Sequence, residues 1–322
     1  YNHNFYGICL QEYSVEEKRL IGKPKIIYKG TDIKYTEGPH LYHINDMYYL
    51  FVAEGGTTYQ HSETVARCKT IDGEYETDPN YPLLSAWKEP TNKLQKCGHA
   101  SLIETQNGEW YLAHLTGRPL AFDKYPIRER EQHAYCPLGR ETAIQKITWE
   151  NGWPVVVGKA GLEEVEAPNL PEQKWEKTYP EKDDFDDDTL NINFASLRVP
   201  LTEDMATLKA RKGFLRLYGK ESLTSLFKQS FVARRWQAFN FDAATSVEFE
   251  PDTFQQMAGM VCYYNTENWT TVHITWKENV GRIIDIVCAD NGNFTMPLAG
   301  NEIAIPEDVK AVHFKVEVRY DK

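Results

Sequence analysis

Hydrophobic positions fall in short runs rich in aromatic and β-branched residues, and they hardly ever hold the three-and-four spacing of an amphipathic helix. Turn residues separate the runs, which predicts an all-β protein. In the first half the pattern repeats. His40-Leu-Tyr-His-Ile, a turn at Asn45-Asp46 and Met47-Tyr-Tyr-Leu-Phe-Val read as a hairpin. His99-Ala-Ser-Leu-Ile, a turn at Asn107-Gly108 and Glu109-Trp-Tyr-Leu-Ala-His read as a second. Asn-Asp and Asn-Gly supply the positive φ angles of tight hairpins. A further strand follows each, at Thr64–Lys69 and at Thr142–Trp149. Units recurring at roughly 60 residues suggest propeller blades, with two ordinary hairpins in a meander as the alternative.

Between Lys159 and Lys177 the pattern changes to Gly161, Pro168, Pro171 and several glutamates, the composition of an interdomain linker. Short strands resume at Phe214–Tyr218, Ser230–Arg234, Ala244–Phe249, Met260–Tyr264, Thr271–Lys277, Ile283–Cys288 and Ala311–Arg319, spaced as in a β-sandwich. The expected division is 1–160 for the blades, 161–180 for the linker and 181–322 for the sandwich. Val316-Glu-Val-Arg-Tyr runs almost to Lys322, so the sandwich is expected to be incomplete at its C-terminus.

A net charge of −11 argues against nucleic acid or an anionic membrane as partner, since both select basic patches. Aromatic residues make up 13% of the chain, which suits sugar-stacking platforms and equally suits β-sheet cores. Six cysteines, none in a C-x-x-C pair, suggest neither zinc nor a disulfide framework and point to a reducing, cytoplasmic setting. The chain has neither a membrane-length apolar run nor a recognisable signal peptide, and secretion stays open because the chain begins at Tyr1. G-x-S-x-G, phosphate-loop and H-E-x-x-H motifs are missing, which removes the common serine-hydrolase, nucleotide and zinc-protease readings.

Three residues stand at successive strand starts, where propeller side chains ring the central cavity. Glu37, in Thr36-Glu37-Gly38-Pro39-His40, is placed to protonate a leaving group if burial raises its pKa; a solvated turn glutamate is the alternative. His99, in Cys97-Gly98-His99-Ala100, can contact substrate, tune a carboxyl or ligate a cation, or be a satisfied core histidine. Arg140, in Leu138-Gly139-Arg140-Glu141-Thr142, carries a donor fork suited to vicinal hydroxyls, or pairs with an acid such as Glu141. The run Asp183-Asp184-Phe185-Asp186-Asp187-Asp188 offers hard oxygen ligands for calcium but lacks the pattern of an EF-hand loop, and a solvated charge run is the plainer reading.

Tyr35-Thr-Glu37-Gly-Pro-His40, Tyr48-Tyr-Leu and Ala53-Glu54-Gly55-Gly56-Thr57 resemble the segment around the general acid in family 43 glycoside hydrolases of the β-xylosidase kind. Gly7-Ile-Cys-Leu-Gln-Glu-Tyr, Gly22-Lys-Pro-Lys-Ile-Ile-Tyr-Lys-Gly30, Gly98-His99-Ala-Ser and Leu138-Gly139-Arg140-Glu-Thr extend the resemblance over the chain. It implies part of a five-bladed β-propeller followed by a concanavalin-like β-sandwich. The implied activity is inverting, exo-acting release of xylose from β-1,4-xylo-oligosaccharides, with Glu37 as general acid and His99 and Arg140 as substrate-binding residues. α-L-Arabinofuranosidase activity and non-catalytic carbohydrate binding are the alternatives. The resemblance implies no required cofactor, and it is compatible with a divalent cation such as calcium near His99. Its implied partners are xylo-oligosaccharide or arabinoxylan fragments and, by analogy, further copies of the same chain.

One departure stands out. An inverting glycosidase needs a second carboxylate roughly 6.5–9.5 Å from its acid. The family takes this base from an Asp-Pro motif near the N-terminus, and the only Asp-Pro here, Asp78-Pro79, follows Glu37. The expectation is therefore a chain that lacks the catalytic base and has little activity alone, with an N-terminal fragment able to complete the propeller.

Overall fold

The computed structural model describes residues 6–120, 135–158, 160, 164–174 and 181–320. Every regular element among them is a β-strand. The chain divides into two compact units, Tyr1–Lys174 and Trp175–Asp321. Of the linker expected over 161–180, residues 161–163 and 175–180 lie outside the described residues, and 164–174 contain no strand.

The first unit opens with a hairpin, β1 (Ile8–Ser14) and β2 (Arg19–Tyr28). A first blade follows: β3 (Glu37–Ile44), β4 (Met47–Glu54), β5 (Ser62–Cys68) and β6 (Glu76–Thr77) in sequential antiparallel order, with β7 (Leu84–Ser85) also paired to β5. The second blade has β8 (Gln95–Glu104), β9 (Trp110–Gly117), β10 (Glu141–Glu150) and β11 (Trp153–Val156) in the same order. These are propeller blades rather than hairpins of one continuous meander, since each closes as its own sheet.

Turn chemistry explains the registers. Ile44 pairs with Met47 across Asn45 (φ 48°) and Asp46 (φ 61°), so the first hairpin turns in two left-handed residues. The Asn107-Gly108 turn is looser than a two-residue hairpin. Glu104 pairs with Trp110, and only Gly108 takes a positive φ, of 81°. There the Thr105 hydroxyl donates to the Glu109 carbonyl at 3.0 Å and closes the longer loop.

β4 shows why the apolar run Met47–Ala53 does not alternate with polar residues. Tyr49 and Phe51 pack toward the second blade with Val65, Cys97, Ala100, Leu102, Leu112 and Trp153. Leu50 and Val52 pack on the other face with Ile8, Ile27, Tyr28, Ala66 and Tyr75. A strand buried on both faces reads as a continuous hydrophobic run. Burial of a side chain such as Phe51, fully enclosed here, contributes about 2–3 kcal/mol.

The described strands of the second unit form three separate sheets. The unit has a small pair, β12 (Ala206–Thr207) and β13 (Arg216–Leu217). Its main sheet runs β15 (Ala258–Asn265), β16 (Asn268–Lys277), β17 (Gly281–Asp290) and β18 (Asn293–Thr295), with β19 (Ile303–Ala304) on β17. A separate pair joins β14 (Phe241–Val247) to β20 (Val312–Val318). Trp269, Val287 and Ala289 form its buried cluster, with Leu223, Val261 and Tyr263 packed against them. Two expected strands are shorter than the pattern suggests. Phe214–Tyr218 contributes only the two residues of β13, and Ser230–Arg234 forms only the isolated bridge of Ala233 to Ala195.

Candidate active site

β3 and β8 are the first strands of their blades, and both start irregularly. β3 breaks register between Glu37 and His40, and β8 breaks it on either side of Gly98. Bulges of this kind re-aim side chains at the rim of a sheet. Positive φ angles gather at the same places: Lys34, Tyr35 and Gly38 at the first, Lys96 and His99 at the second. Non-glycine residues persist in that region only where their surroundings fix them.

Glu37 opens β3, half-buried, opposite Ala53. Its position is fixed from behind. Thr36 is buried and donates its hydroxyl to Glu54 at 2.7 Å. Glu54 is wholly enclosed and also accepts from the Thr31 amide (2.8 Å), the Thr31 hydroxyl (2.5 Å) and the Thr64 hydroxyl (2.8 Å). Four donors on one carboxylate offset the cost of burying it and tie the loop before Glu37 to β4 and β5. Gly30 must be a glycine, because a Cβ there would overlap the Thr36 hydroxyl and the Glu54 carboxyl.

Gly38 brings His99 beside Glu37, for a Cβ on Gly38 would overlap His99 Nε2. His99 has His40 on one side, with ring centroids 6.3 Å apart, and His61 on the other, at 6.5 Å. The structure therefore places His99 next to the Glu37 segment, on the neighbouring blade. Burial, with His99 nearby, lowers the His40 pKa. His61 is 1% exposed, and burial lowers its pKa to about 4, with Arg140, His99 and Lys96 adding to the effect. His61 Nδ1 lies 2.5 Å from the Gly56 carbonyl. A carbonyl only accepts, so Nδ1 carries the proton and Nε2 is a buried lone pair without a protein partner.

Arg140 immediately precedes β10 and is exposed. Its charge reaches His61. Glu141 gives both carboxylate oxygens to Arg118, at 2.9 and 2.7 Å, so the adjacent acid is occupied by another arginine. Glu37, His99 and His61 thus form one neighbourhood, and Arg140 acts on its His61 side.

Three supporting residues stand beside these: Glu54, inside the Ala53–Thr57 segment, and His61 and Glu63, which lie in no motif. Glu63 is 1% exposed on β5 and accepts from the Ala100 amide at 2.7 Å. Burial pushes its carboxyl well above the usual range, against the opposing effect of the Ala100 and His99 amides. Its strand also carries Ser62, Thr64 and Arg67, so composition alone does not set it apart.

Glu54 and Glu63 are both enclosed and engaged, so neither is placed to activate a water molecule. Asp78 lies away from the strand starts. It is 3% exposed, its amide donates to the Val65 carbonyl at 2.9 Å, and its Oδ1 accepts from the Asn80 amide at 2.9 Å. Among the described residues no group of three His, Cys, Asp or Glu side chains converges to hold a metal. His99 and its two histidine neighbours, His40 and His61, are nitrogen donors and do not fit a hard cation such as calcium, which takes oxygen ligands. The acidic run does not gather into a site either: Asp183 accepts from the Phe185 amide at 2.8 Å, and Asp184 pairs with Lys182 at 2.5 Å. No helix among the described residues is long and apolar enough to cross a membrane.

Comparison with known proteins agrees with this architecture. Residues 1–154 match glycosyl hydrolases family 43, and residues 182–322 match the β-xylosidase C-terminal concanavalin A-like domain. The chain is 56% identical over 321 residues to a β-xylosidase of Bacillus subtilis, covering 99% of this chain and 60% of that protein. It is 39% identical to a xylan 1,3-β-xylosidase of a Vibrio species, covering 98% of this chain and 59% of the relative. The crystal structure of a xylan β-1,4-xylosidase from Bacillus halodurans superposes with a TM-score of 0.91 at 50% identity, over 98% of this chain and 59% of that one. The chain therefore spans about 60% of the length of the relatives it matches.

Proposed function

Because the chain belongs to family 43 of the glycosyl hydrolases, we propose that it is part of an inverting, exo-acting glycosidase that releases xylose from β-1,4-xylo-oligosaccharides. The observation that carries this reading is the placement of Glu37. It is a half-buried carboxyl at the start of an inner strand, anchored through Thr36 and Glu54 and followed by Gly38, against which the His99 ring lies. Such a group can deliver a proton to a glycosidic oxygen and is fixed in the geometry that general acid catalysis needs.

In this reading Glu37 is the acid, and His99 and Arg140 hold sugar hydroxyls. The base is a carboxylate outside the described residues, supplied by an N-terminal segment that completes the propeller. The 322 residues alone then turn over little substrate. The chemistry runs on carboxylates and water, and no step is assigned to a metal. Six unpaired cysteines favour a reducing, cytoplasmic setting, and self-association remains part of the proposal by analogy.

Substrate preference has a second reading. A xylosidase/arabinosidase of Humicola insolens is 36% identical over 95% of this chain and 54% of its own length, which supports arabinofuranosides as alternative substrates. The test is hydrolysis of xylobiose and of 4-nitrophenyl β-xyloside and α-L-arabinofuranoside by the full-length protein and by these 322 residues alone. Proton NMR of the first sugar released reports the stereochemistry. Xylose appearing first as the α-anomer, from the full-length protein only, is the expected result. The β-anomer first, or turnover by the isolated chain, would overturn the reading.

A further inference from the structure

We propose that Glu63 is a positioning residue for the sugar pocket: it holds the start of β8 so that the His99 imidazole stays over Gly38, beside Glu37. This rests on the reading of Glu37 and His99 given above. Glu37, Ala53 and Glu63 lie in one row across β3, β4 and β5. The row faces the second blade, where Phe51 and Val65 on the same side are packed in the apolar cluster. A carboxyl in such a place costs desolvation, and packing alone would be served by an apolar side chain.

What Glu63 does there is hold backbone. Its Oε2 accepts from the Ala100 amide at 2.7 Å, and the His99 amide hydrogen bonds it as well. These two residues sit where β8 slips register, and His99 itself has φ 52°. The displaced strand cannot offer both amides to β9 in the regular ladder, so the side chain of the neighbouring blade takes them. His61, two residues before Glu63, closes the other side: a Cβ on Gly98 would lie 2.8 Å from His61 Cδ2. β5 therefore grips Gly98, His99 and Ala100 from one blade, while Gly38 leaves room for the ring on the other.

The test compares Glu63→Met with Glu63→Gln in the full-length protein. Both nearly preserve volume, and only glutamine keeps an acceptor oxygen. Loss of substrate positioning raises KM, whereas a merely structural defect lowers the active fraction, and so kcat, at unchanged KM. Glu63→Met is expected to raise KM for xylobiose about tenfold with kcat changed less than about threefold, and Glu63→Gln to return KM to within about threefold of the parent. Added to His99→Ala, Glu63→Met is expected to cause no further loss, because the two act through one contact.

Histidine-selective NMR gives a reading without turnover: the His99 ring resonance moves in Glu63→Met and returns in Glu63→Gln. Equal KM values for the two variants, a fall in kcat alone, additive losses with His99→Ala, or an unmoved His99 resonance would each overturn the inference. If the full-length protein fails to cleave xylosides, the functional reading falls, and the resonance still decides the role of Glu63.

Discussion

Thr36 and Glu54 meet at 2.7 Å through the threonine hydroxyl, and the residue after Thr36 is Glu37. The acid is therefore one peptide away from a buried carboxylate that gathers three hydroxyls and an amide. Removing the hub leaves several donors unsatisfied, each at about 1–3 kcal/mol. Glu54→Ala should lower unfolding free energy by at least about 2 kcal/mol in urea titrations. Thr36→Val removes one spoke and should cost about 1 kcal/mol while reducing kcat more than stability, since slight misplacement of a catalytic group is expensive.

Gly38 has φ 56° and no space for a side chain on its His99 side. Gly38→Ala should therefore add backbone strain of about 1–3 kcal/mol and displace the imidazole. The same substitution at Gly108, which has open space around it, should cost only its left-handed φ. Thermal unfolding and xyloside kinetics on the two variants separate strain from displacement. Only Gly38→Ala should raise KM.

His61 makes stability depend on pH. Its folded pKa, about 4, lies below the ordinary 6.5, so the unfolded chain binds more protons between these values. Its contribution is complete above pH 6.5, declines as the pH falls, and is lost below about 4. The buried His114 and His273 are also lowered by burial and act in the same direction. Glu63 has the opposite sign: its raised pKa makes the folded form less favourable as pH rises through it. Replacing His61 with glutamine should shrink the loss of stability between pH 7 and pH 5 by up to roughly 2 kcal/mol, read by urea unfolding at the two pH values. Glu63→Gln should stabilise the protein at pH 8 relative to pH 5.

The second unit depends on Arg282, 8% exposed on β17. Its guanidinium donates to Glu250 at 2.9 Å and to the carbonyls of Pro306 and Val309 at 2.9 and 2.8 Å. Lysine lacks this fork. Arg282→Lys should destabilise the unit by about 2–4 kcal/mol and free the turn at 306–309, which hydrogen exchange at Val309 would detect.

The legible parts of the sequence were those set by local chemistry. Asn45-Asp46 fixed a hairpin whose turn needs two left-handed residues, and the unbroken apolar run of β4 marked a strand covered on both faces. Glu37 stood out through its motif. What stayed hidden depends on contacts distant in sequence. Glu54 meets Thr31 across 23 residues and Glu63 meets Ala100 across 37, so neither carboxyl could be told from a solvated one. Arg140 and Glu141 suggested an ion pair by adjacency, yet Arg118, 23 residues away, takes both Glu141 oxygens instead. In the second unit Ser230–Arg234 has strand composition but only one bridge, made by Ala233, because pairing partners rather than propensity decide a strand.

The proposed activity depends most directly on the proton carried by Glu37. Its test is the rate of xylobiose hydrolysis by the full-length protein and by its Glu37→Gln variant, at matched folded concentration. General acid catalysis contributes about 10²–10⁴-fold, so the variant should lose at least about a hundredfold in kcat/KM. It should lose less on 4-nitrophenyl β-xyloside, whose leaving group needs little protonation. A variant within about tenfold of the parent on xylobiose, or equally impaired on both substrates, would contradict Glu37 as the acid.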